Sequence, residues 1–125
     1  MTRDLILNHV QRIYDAWDSH DHSTVLAGID PSFEWVVPGA NRLTGKAVGA
    51  EKAAEVLTAL DEIGYTVSPR HFVADDDRVI ALAQVTIDGT QLGAIDVWTF
   101  TDDRLVKYQH ASTDTTVLDR ALGAK

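Results

Sequence analysis

Apolar residues recur with two different periods along the chain, and the change of period separates a helical first half from a strand-rich second half. Between Thr2 and about Ser19 the apolar residues follow steps of three and four, at positions 6, 10, 13 and 17. This spacing places them on one face of a helix. The first segment is therefore predicted to be a helix with one buried side.

Two helices and one strand are predicted next. The segment HDHSTVLAGID is predicted to be a short helix capped near Ser23, which ends before Asp30-Pro31 because a residue before proline is pushed out of helical geometry. Residues 33–37, FEWVV, alternate as in a strand. The run ANRLTGK is predicted to be a loop, and AEKAAEVLTALDEI a helix with Gly64 as its C-cap.

Four strands in series are predicted after residue 64. They are YTVSPRHFVA, RVIALAQVTI, TQLGAIDVWTF and RLVKYQHA, separated by the turns ADDD, DG and TDD. A short final helix capped by Thr113 or Asp114 follows. The apolar helix faces need an apolar sheet face, which favours an α+β fold with a curved, mainly antiparallel sheet wrapped by helices.

Composition limits the classes of protein to which the chain can belong. Its 125 residues, of which 45% are hydrophobic and 24% charged, predict one domain over residues 1–125. A net charge of -8 disfavours nucleic acid and anionic membrane surfaces as partners. There are no cysteines, and the N-terminal segment lacks the apolar run of a signal peptide or membrane span, so we expect a soluble, cytoplasmic protein.

One carboxylate, Asp96, interrupts an otherwise apolar strand face. A two-residue hairpin turn at Asp88-Gly89 sets the register of the flanking strands. It pairs Val85 with Leu92, Ala83 with Ala94, Ala81 with Asp96, and Val79 with Trp98, and these eight residues share one face. Seven are apolar, so this face is predicted to point inward.

The small residues around Asp96 leave a space for helix side chains, water or a ligand. Apolar surroundings should raise the pKa of its carboxyl group, which would suit it to acid–base chemistry near neutral pH. Two alternatives remain open: a buried aspartate held by backbone amides or by Arg70, or a register slip that places Asp96 in solvent.

Several motifs in order resemble the SnoaL-like polyketide cyclases and their relatives in the nuclear transport factor 2-like superfamily, which includes ketosteroid isomerases and limonene epoxide hydrolases. They are RIYDAWDSHD, FEWVVPG followed by LTGKAVGAE, AIDVWTF and TDDRLVKYQHA. The resemblance implies a cone-shaped α+β barrel with a deep apolar pocket, often in a homodimer formed through the convex sheet face.

The resemblance also implies roles for individual residues. Asp96 lies where ketosteroid isomerases place the acid that hydrogen-bonds the enolate oxygen, His110 lies close to the acid/base aspartate of SnoaL-like cyclases, and Tyr14 lies near the isomerase oxyanion tyrosine. Val37 stands where the isomerases have their general-base aspartate, so standard isomerase chemistry is not expected.

The face on which His110 lies depends on the turn TDDR. A plain two-residue turn at Asp102-Asp103 pairs Trp98 with Lys107 and puts His110 on the outer face, whereas a one-residue bulge brings Tyr108 and His110 inside. The bulge is favoured because Lys107 would otherwise face the interior without a partner. A core histidine bonded to a backbone carbonyl is the alternative interpretation.

These inferences lead to a cofactor-independent isomerase or cyclase that acts on a hydrophobic carbonyl substrate. The alternatives are an epoxide hydrolase or cyclase of the same fold, and a noncatalytic ligand-binding or dimerisation domain. No metal site is expected, since His20 and His22 are two apart on a helix end. The predicted catalytic residues are Asp96, His110 and Tyr14, and the predicted substrate-binding residues are Trp17, Trp35, Val37, Ala81, Ala83, Ala94, Trp98 and Tyr108.

Overall fold

Four helices and six strands make up the part of the chain that the computed structural model describes, residues 3–102 and 104–124. In chain order they are α1 (Arg3–Asp18), α2 (His22–Leu26), β1 (Ile29–Val37), β2 (Gly45–Val48), α3 (Gly49–Glu62), β3 (Tyr65–Ala74), β4 (Arg78–Ile87), β5 (Thr90–Thr101), β6 (Arg104–Ser112) and α4 (Thr115–Leu122). Thr2 and Asp103, which figured in the predicted first helix and last turn, lie outside the described residues.

The six strands form one curved sheet in the order β2-β1-β6-β5-β4-β3. Every neighbouring pair is antiparallel except β1 and β6, which are parallel. The predicted stripe of α1 is buried at Ile6, Val10, Ile13 and Trp17, and it shares a single apolar core with the sheet. The predicted α+β fold with a mainly antiparallel sheet is therefore confirmed.

The β4–β5 hairpin has the predicted register. Asp88 and Gly89 both adopt positive φ angles, 48° and 84°, as a tight two-residue turn between twisted strands requires. Ala81 pairs with Asp96, and the carboxylate faces inward with no exposed surface. The alternative of a slipped register that exposes Asp96 is thus excluded.

A one-residue bulge interrupts the β5–β6 ladder near its turn, as predicted. Phe100 pairs with Leu105, but Thr99 pairs with Lys107, so Val106 is the inserted residue. Beyond the bulge Tyr108 lies opposite Trp98 and His110 opposite Asp96. The bulge therefore brings two further polar side chains to the inner face of the sheet.

Four local predictions in the first half were wrong. The C-cap of α3 is Ile63 rather than Gly64. Gly45 and Lys46, predicted as loop, belong to β2, a four-residue edge strand that is too short and exposed to show alternation. The strand β1 begins at Ile29 and so includes Asp30-Pro31. The cap of α2 is Asp21 rather than Ser23, because the Asp21 side chain accepts a hydrogen bond from the Thr24 amide at 3.2 Å.

The last helix is anchored to the loop after β1 through Asp119. Its Oδ1 atom accepts hydrogen bonds from the Ala40 amide at 2.8 Å and from Asn41 Nδ2 at 2.9 Å, and Asn41 is fully buried. Gly39 allows this approach: it has a φ of 86°, and a Cβ atom there would lie 2.3 Å from Asp119 Oδ1. In the described residues, no helix has the length and apolar character needed to cross a bilayer.

Replacing Asp119 with alanine is expected to lower the free energy of unfolding by about 1–3 kcal/mol, because the buried Asn41 amide loses one of its two acceptors and keeps only the Pro38 carbonyl. Urea denaturation of the variant and the parent measures the difference. Asp76→Ala, which removes an exposed acid from the β3–β4 turn, is the matched control and should change stability by less than about 0.5 kcal/mol. Equal effects of the two substitutions would contradict the anchoring role.

Candidate active site

Asp96 lies at the centre of a buried polar group on the inner face of the sheet. Ala81 lies directly across from it on β4, and Ala94 precedes it on the same face of β5. Because both side chains are small, the phenol of Tyr14 on α1 can reach the carboxylate. The Tyr14 hydroxyl donates a hydrogen bond to Asp96 Oδ2 at 2.5 Å.

Tyr14 is itself held by Trp98, whose Nε1–H donates to the Tyr14 hydroxyl oxygen at 3.0 Å. Burial, and then the charge of Asp96, raise the pKa of Tyr14 well above its usual value of 10. The phenol therefore keeps its proton at neutral pH and serves as a hydrogen-bond donor to the carboxylate. This chain of two hydrogen bonds fixes Asp96 from the side of the helix.

The second carboxylate oxygen faces His110. His110 Nδ1 lies 3.2 Å from Asp96 Oδ1, and the imidazole side chain is only 6% exposed. An ionised carboxylate can only accept, so this contact favours the tautomer with the proton on Nδ1. Nε2 is then left free to accept a proton, as in a histidine base oriented by an acid.

An apolar cavity lies beside His110. The free space between its walls is about 260 Å³, part of it open to solvent, and about 20 Å³ of that space admits the centre of a water-sized sphere. It is lined by Trp35, Val37, Pro38, Val56, Leu60, Tyr65, Tyr108, His110 and Leu118. The titratable side chains among these residues are those of His110, Tyr65 and Tyr108. Within the described structure the cavity thus combines apolar walls with a few polar groups, as small-molecule sites commonly do.

The structure brings only some of the predicted site residues to this cavity. Trp35, Val37, Tyr108 and His110 line it. Asp96 and Tyr14 stand behind His110, connected to it by the hydrogen bonds described above. Five predicted substrate-binding residues are not among those that line the cavity: Trp17, Ala81, Ala83, Ala94 and Trp98.

Trp17 forms a layer behind the cavity wall. Its ring is stacked with Tyr65 at a centroid distance of 5.8 Å and meets Trp35 edge-on at 5.5 Å. Both of those residues line the cavity. Trp17 therefore fixes the positions of two wall residues without lining the cavity itself.

Five wall residues were missed by the sequence analysis. They are Pro38, Val56, Leu60, Tyr65 and Leu118. Val56 and Leu60 lie on the buried face of α3. Nothing in the local pattern shows which buried residues border a cavity, because that depends on how α3 and α4 pack against the sheet.

Two further groups of polar residues lie away from Asp96. Arg70 lies on an exposed surface, where its Nη2 donates to Gln84 Oε1 at 2.6 Å, so it is not the partner of Asp96. His20 Nδ1 and His22 Nε2 both lie near the carboxylate of Asp61, at 3.3 and 2.8 Å. No group of three histidine, cysteine or acidic side chains in the described parts of the chain is arranged to hold a metal ion.

A double-mutant cycle is expected to show that Tyr14 and Asp96 are coupled. Tyr14→Phe removes the hydrogen bond and leaves Trp98 Nε1 without an acceptor, which should cost about 1–3 kcal/mol of unfolding free energy. The coupling energy between Tyr14→Phe and Asp96→Asn should reach about 0.5–3 kcal/mol. Tyr14→Phe combined with Asp76→Ala should be additive within about 0.5 kcal/mol. Additivity of the first pair would contradict a direct bond.

Comparison with known proteins identifies the family. The model of the SnoaL-like domain matches residues 10–108. Bal32a, from a soil-derived mobile gene cassette, is 24% identical, with 97% of this chain and 98% of that chain covered and a TM-score of 0.86. An NTF2-like protein from Burkholderia xenovorans LB400 is 23% identical over 98% of this chain and 99% of its own, with a TM-score of 0.80.

TerC, crystallised with polyporic acid, is 24% identical, with 93% of this chain and 96% of that chain covered and a TM-score of 0.80. A search of functionally curated proteins gives no match. One of these neighbours is an NTF2-like protein, and the family model covers most of the chain, from residue 10 in α1 to residue 108 in β6. The chain therefore belongs to the SnoaL-like domain family.

Proposed function

We propose that this protein is a small-molecule isomerase or cyclase that acts on a hydrophobic carbonyl compound by acid–base chemistry without a cofactor. The observation that carries the proposal is the contact between His110 Nδ1 and buried Asp96 at 3.2 Å, with His110 at the wall of an apolar cavity. A histidine held in one tautomer by a carboxylate is suited to act as a general base.

In the proposed reaction His110 Nε2 removes a proton from the carbon next to the substrate carbonyl. The electron pair of the broken C–H bond forms the enolate, and the imidazole becomes an imidazolium. Asp96 stabilises that cation, since opposite charges attract strongly away from water. Tyr14 and Trp98 keep the carboxylate in place throughout.

The enolate can then follow one of two routes. Return of the proton from the imidazolium to a different carbon shifts a double bond, which is isomerisation. Attack of the enolate carbon on a second carbonyl of the same molecule closes a ring, and the imidazolium then protonates the new alkoxide. Crystallisation of the structural neighbour TerC with polyporic acid supports a small organic ligand for a protein of this fold.

Wild-type protein is expected to catalyse deuterium incorporation next to the carbonyl of compact enolisable ketones in deuterated water, measured by proton NMR. 2-Cyclohexenone and 2-indanone are suitable probes. His110→Gln should reduce the exchange rate about 100-fold to 10,000-fold, because a positioned general base contributes that much. Asp96→Asn should also reduce it, since a neutral amide stabilises the imidazolium less well.

The matched control for this experiment is His71→Gln. His71 is an exposed histidine on β3, so its loss should leave exchange unchanged. Circular dichroism of each variant verifies that it is folded. Exchange that is equal in wild type and His110→Gln would contradict the proposed base, and binding of the ketones without any exchange would instead favour a noncatalytic ligand-binding domain.

We also propose that the outer face of the sheet binds a second copy of the chain. Leu82 and Ile95 are paired across β4 and β5 and are 43% and 47% exposed, and Val73 on β3 is 62% exposed. An exposed apolar patch of neighbouring residues on a sheet face is typical of a protein–protein interface. Homodimerisation would remove this patch from water.

Ile95→Asp is expected to shift the protein from dimer to monomer, because a carboxylate at the centre of the interface would be buried without a partner. Sedimentation equilibrium measures the mass of each variant. Val48→Asp, at a residue that is 51% exposed on the edge strand β2, is the matched control and should leave the dimer intact. A monomeric wild type would contradict this proposal and leave the catalytic one unaffected.

A further inference from the structure

The hydroxyl group of Tyr108 is buried and has no hydrogen-bond partner among the described residues. Tyr108 is 2% exposed and is one of the residues around the cavity. A buried hydroxyl without a partner loses its hydration and gains nothing in return, so such groups are uncommon in folded proteins. Two other side-chain atoms, Trp17 Nε1 and Ser112 Oγ, share this state, but neither residue lines this cavity.

Aromatic rings hold the Tyr108 phenol in place. The centroid of its ring lies 4.2 Å from Trp98, 5.1 Å from Trp35 and 6.1 Å from Trp17. Packing on these sides leaves the ring little freedom to swing toward another partner. The hydroxyl is therefore held in one position, near the Asp96 carboxylate but without a partner at hydrogen-bond geometry among the described residues.

Tyr108 and His110 face the same cavity from one strand. They are two residues apart on β6, so their side chains lie on the same face, about 6.8 Å apart along the strand. That arrangement lets one small ligand contact both side chains. The proposed reaction requires such a ligand to place its carbonyl oxygen at Tyr108 and the hydrogen of the adjacent carbon at His110.

The protonation state of Tyr108 suits it to this use. Burial, followed by the charge of Asp96, raises the pKa of Tyr108 well above 10, and the phenols of Tyr65 and Tyr14 add to the effect. The hydroxyl therefore stays protonated at neutral pH. It can donate a hydrogen bond but cannot itself act as the base.

We propose that Tyr108 donates a hydrogen bond to the carbonyl oxygen of a compact, one- or two-ring enolisable ketone and stabilises the enolate oxygen while His110 removes the proton. This inference rests on the proposed function. It adds the donor and the substrate class: the free space between the cavity walls is only about 260 Å³ even with the part open to solvent included, which disfavours a four-ring steroid.

The test uses 2-indanone labelled with carbon-13 at the carbonyl and the variants Tyr108→Phe and His110→Gln. Titration followed by carbon-13 NMR gives the dissociation constant and the chemical shift of the bound carbonyl. A hydrogen bond to the oxygen should move that resonance to higher chemical shift in wild type and in His110→Gln, and Tyr108→Phe should abolish the movement. Exchange of the α-hydrogens should fall about 100-fold to 1,000-fold in Tyr108→Phe, as for loss of one oxyanion donor.

The stability of the same variants gives an independent readout. Tyr108→Phe removes an unpaired buried hydroxyl and should leave the melting temperature unchanged or raise it, whereas Tyr14→Phe removes a bonded hydroxyl and should lower it. A lower melting temperature in Tyr108→Phe would show that its hydroxyl has a partner in the protein and would overturn the proposal.

The remaining outcomes separate this inference from the proposed function. Retention of the carbonyl shift in Tyr108→Phe overturns the inference, and a loss of exchange without a change of that shift would mean that Tyr108 acts through Asp96. Tighter binding of a four-ring 3-ketosteroid than of 2-indanone, or no binding of 2-indanone, overturns the substrate class. If exchange is unchanged in His110→Gln while the carbonyl shift still depends on Tyr108, the role of His110 as the base is contradicted and the role of Tyr108 as the donor is retained.

Discussion

The burial of one carboxylate is the constraint on which the other polar positions of this protein depend. Asp96 has no exposed surface, and a charge removed from water is costly unless it is paired and hydrogen-bonded. Tyr14 from α1 covers one carboxylate oxygen, and His110 from β6 covers the other. A single side chain of β5 thus determines both the depth at which α1 packs on the sheet and the register of β6.

The register of β6 relative to β5 depends on one inserted residue. Because side chains alternate along a strand, a ladder without the bulge at Val106 would turn Lys107 inward and His110 outward. The bulge reverses that parity over the rest of β6, and so it also places Tyr108 beside the cavity. Bulges cost ladder hydrogen bonds and are found preferentially beside active sites, where they redirect side chains.

Sequence reasoning succeeded where local signals act over short distances. The Asp88-Gly89 turn fixed the β4–β5 register and hence the inward face of Asp96, and the cost of a buried Lys107 pointed to the bulge. It failed for β2, whose four residues show no alternation. Sequence reasoning could not predict the contact between Tyr14 and Asp96, which are 82 positions apart. Helix periodicity indicates which face of α1 is buried, but not which strand residue that face contacts.

The position of Asp96 behind His110 also has a consequence for the chemistry that we propose. A carboxylate at the cavity surface would lose its hydration when an apolar ligand entered, and that cost would weaken binding. Here the hydrogen bonds of the carboxylate to Tyr14 and His110 are already in place, and the cavity presents the imidazole instead. When the imidazole accepts a proton, the new charge forms next to the buried carboxylate, in surroundings that screen their attraction less than water does. The arrangement therefore places the charge of the carboxylate behind the imidazole and not against an apolar substrate.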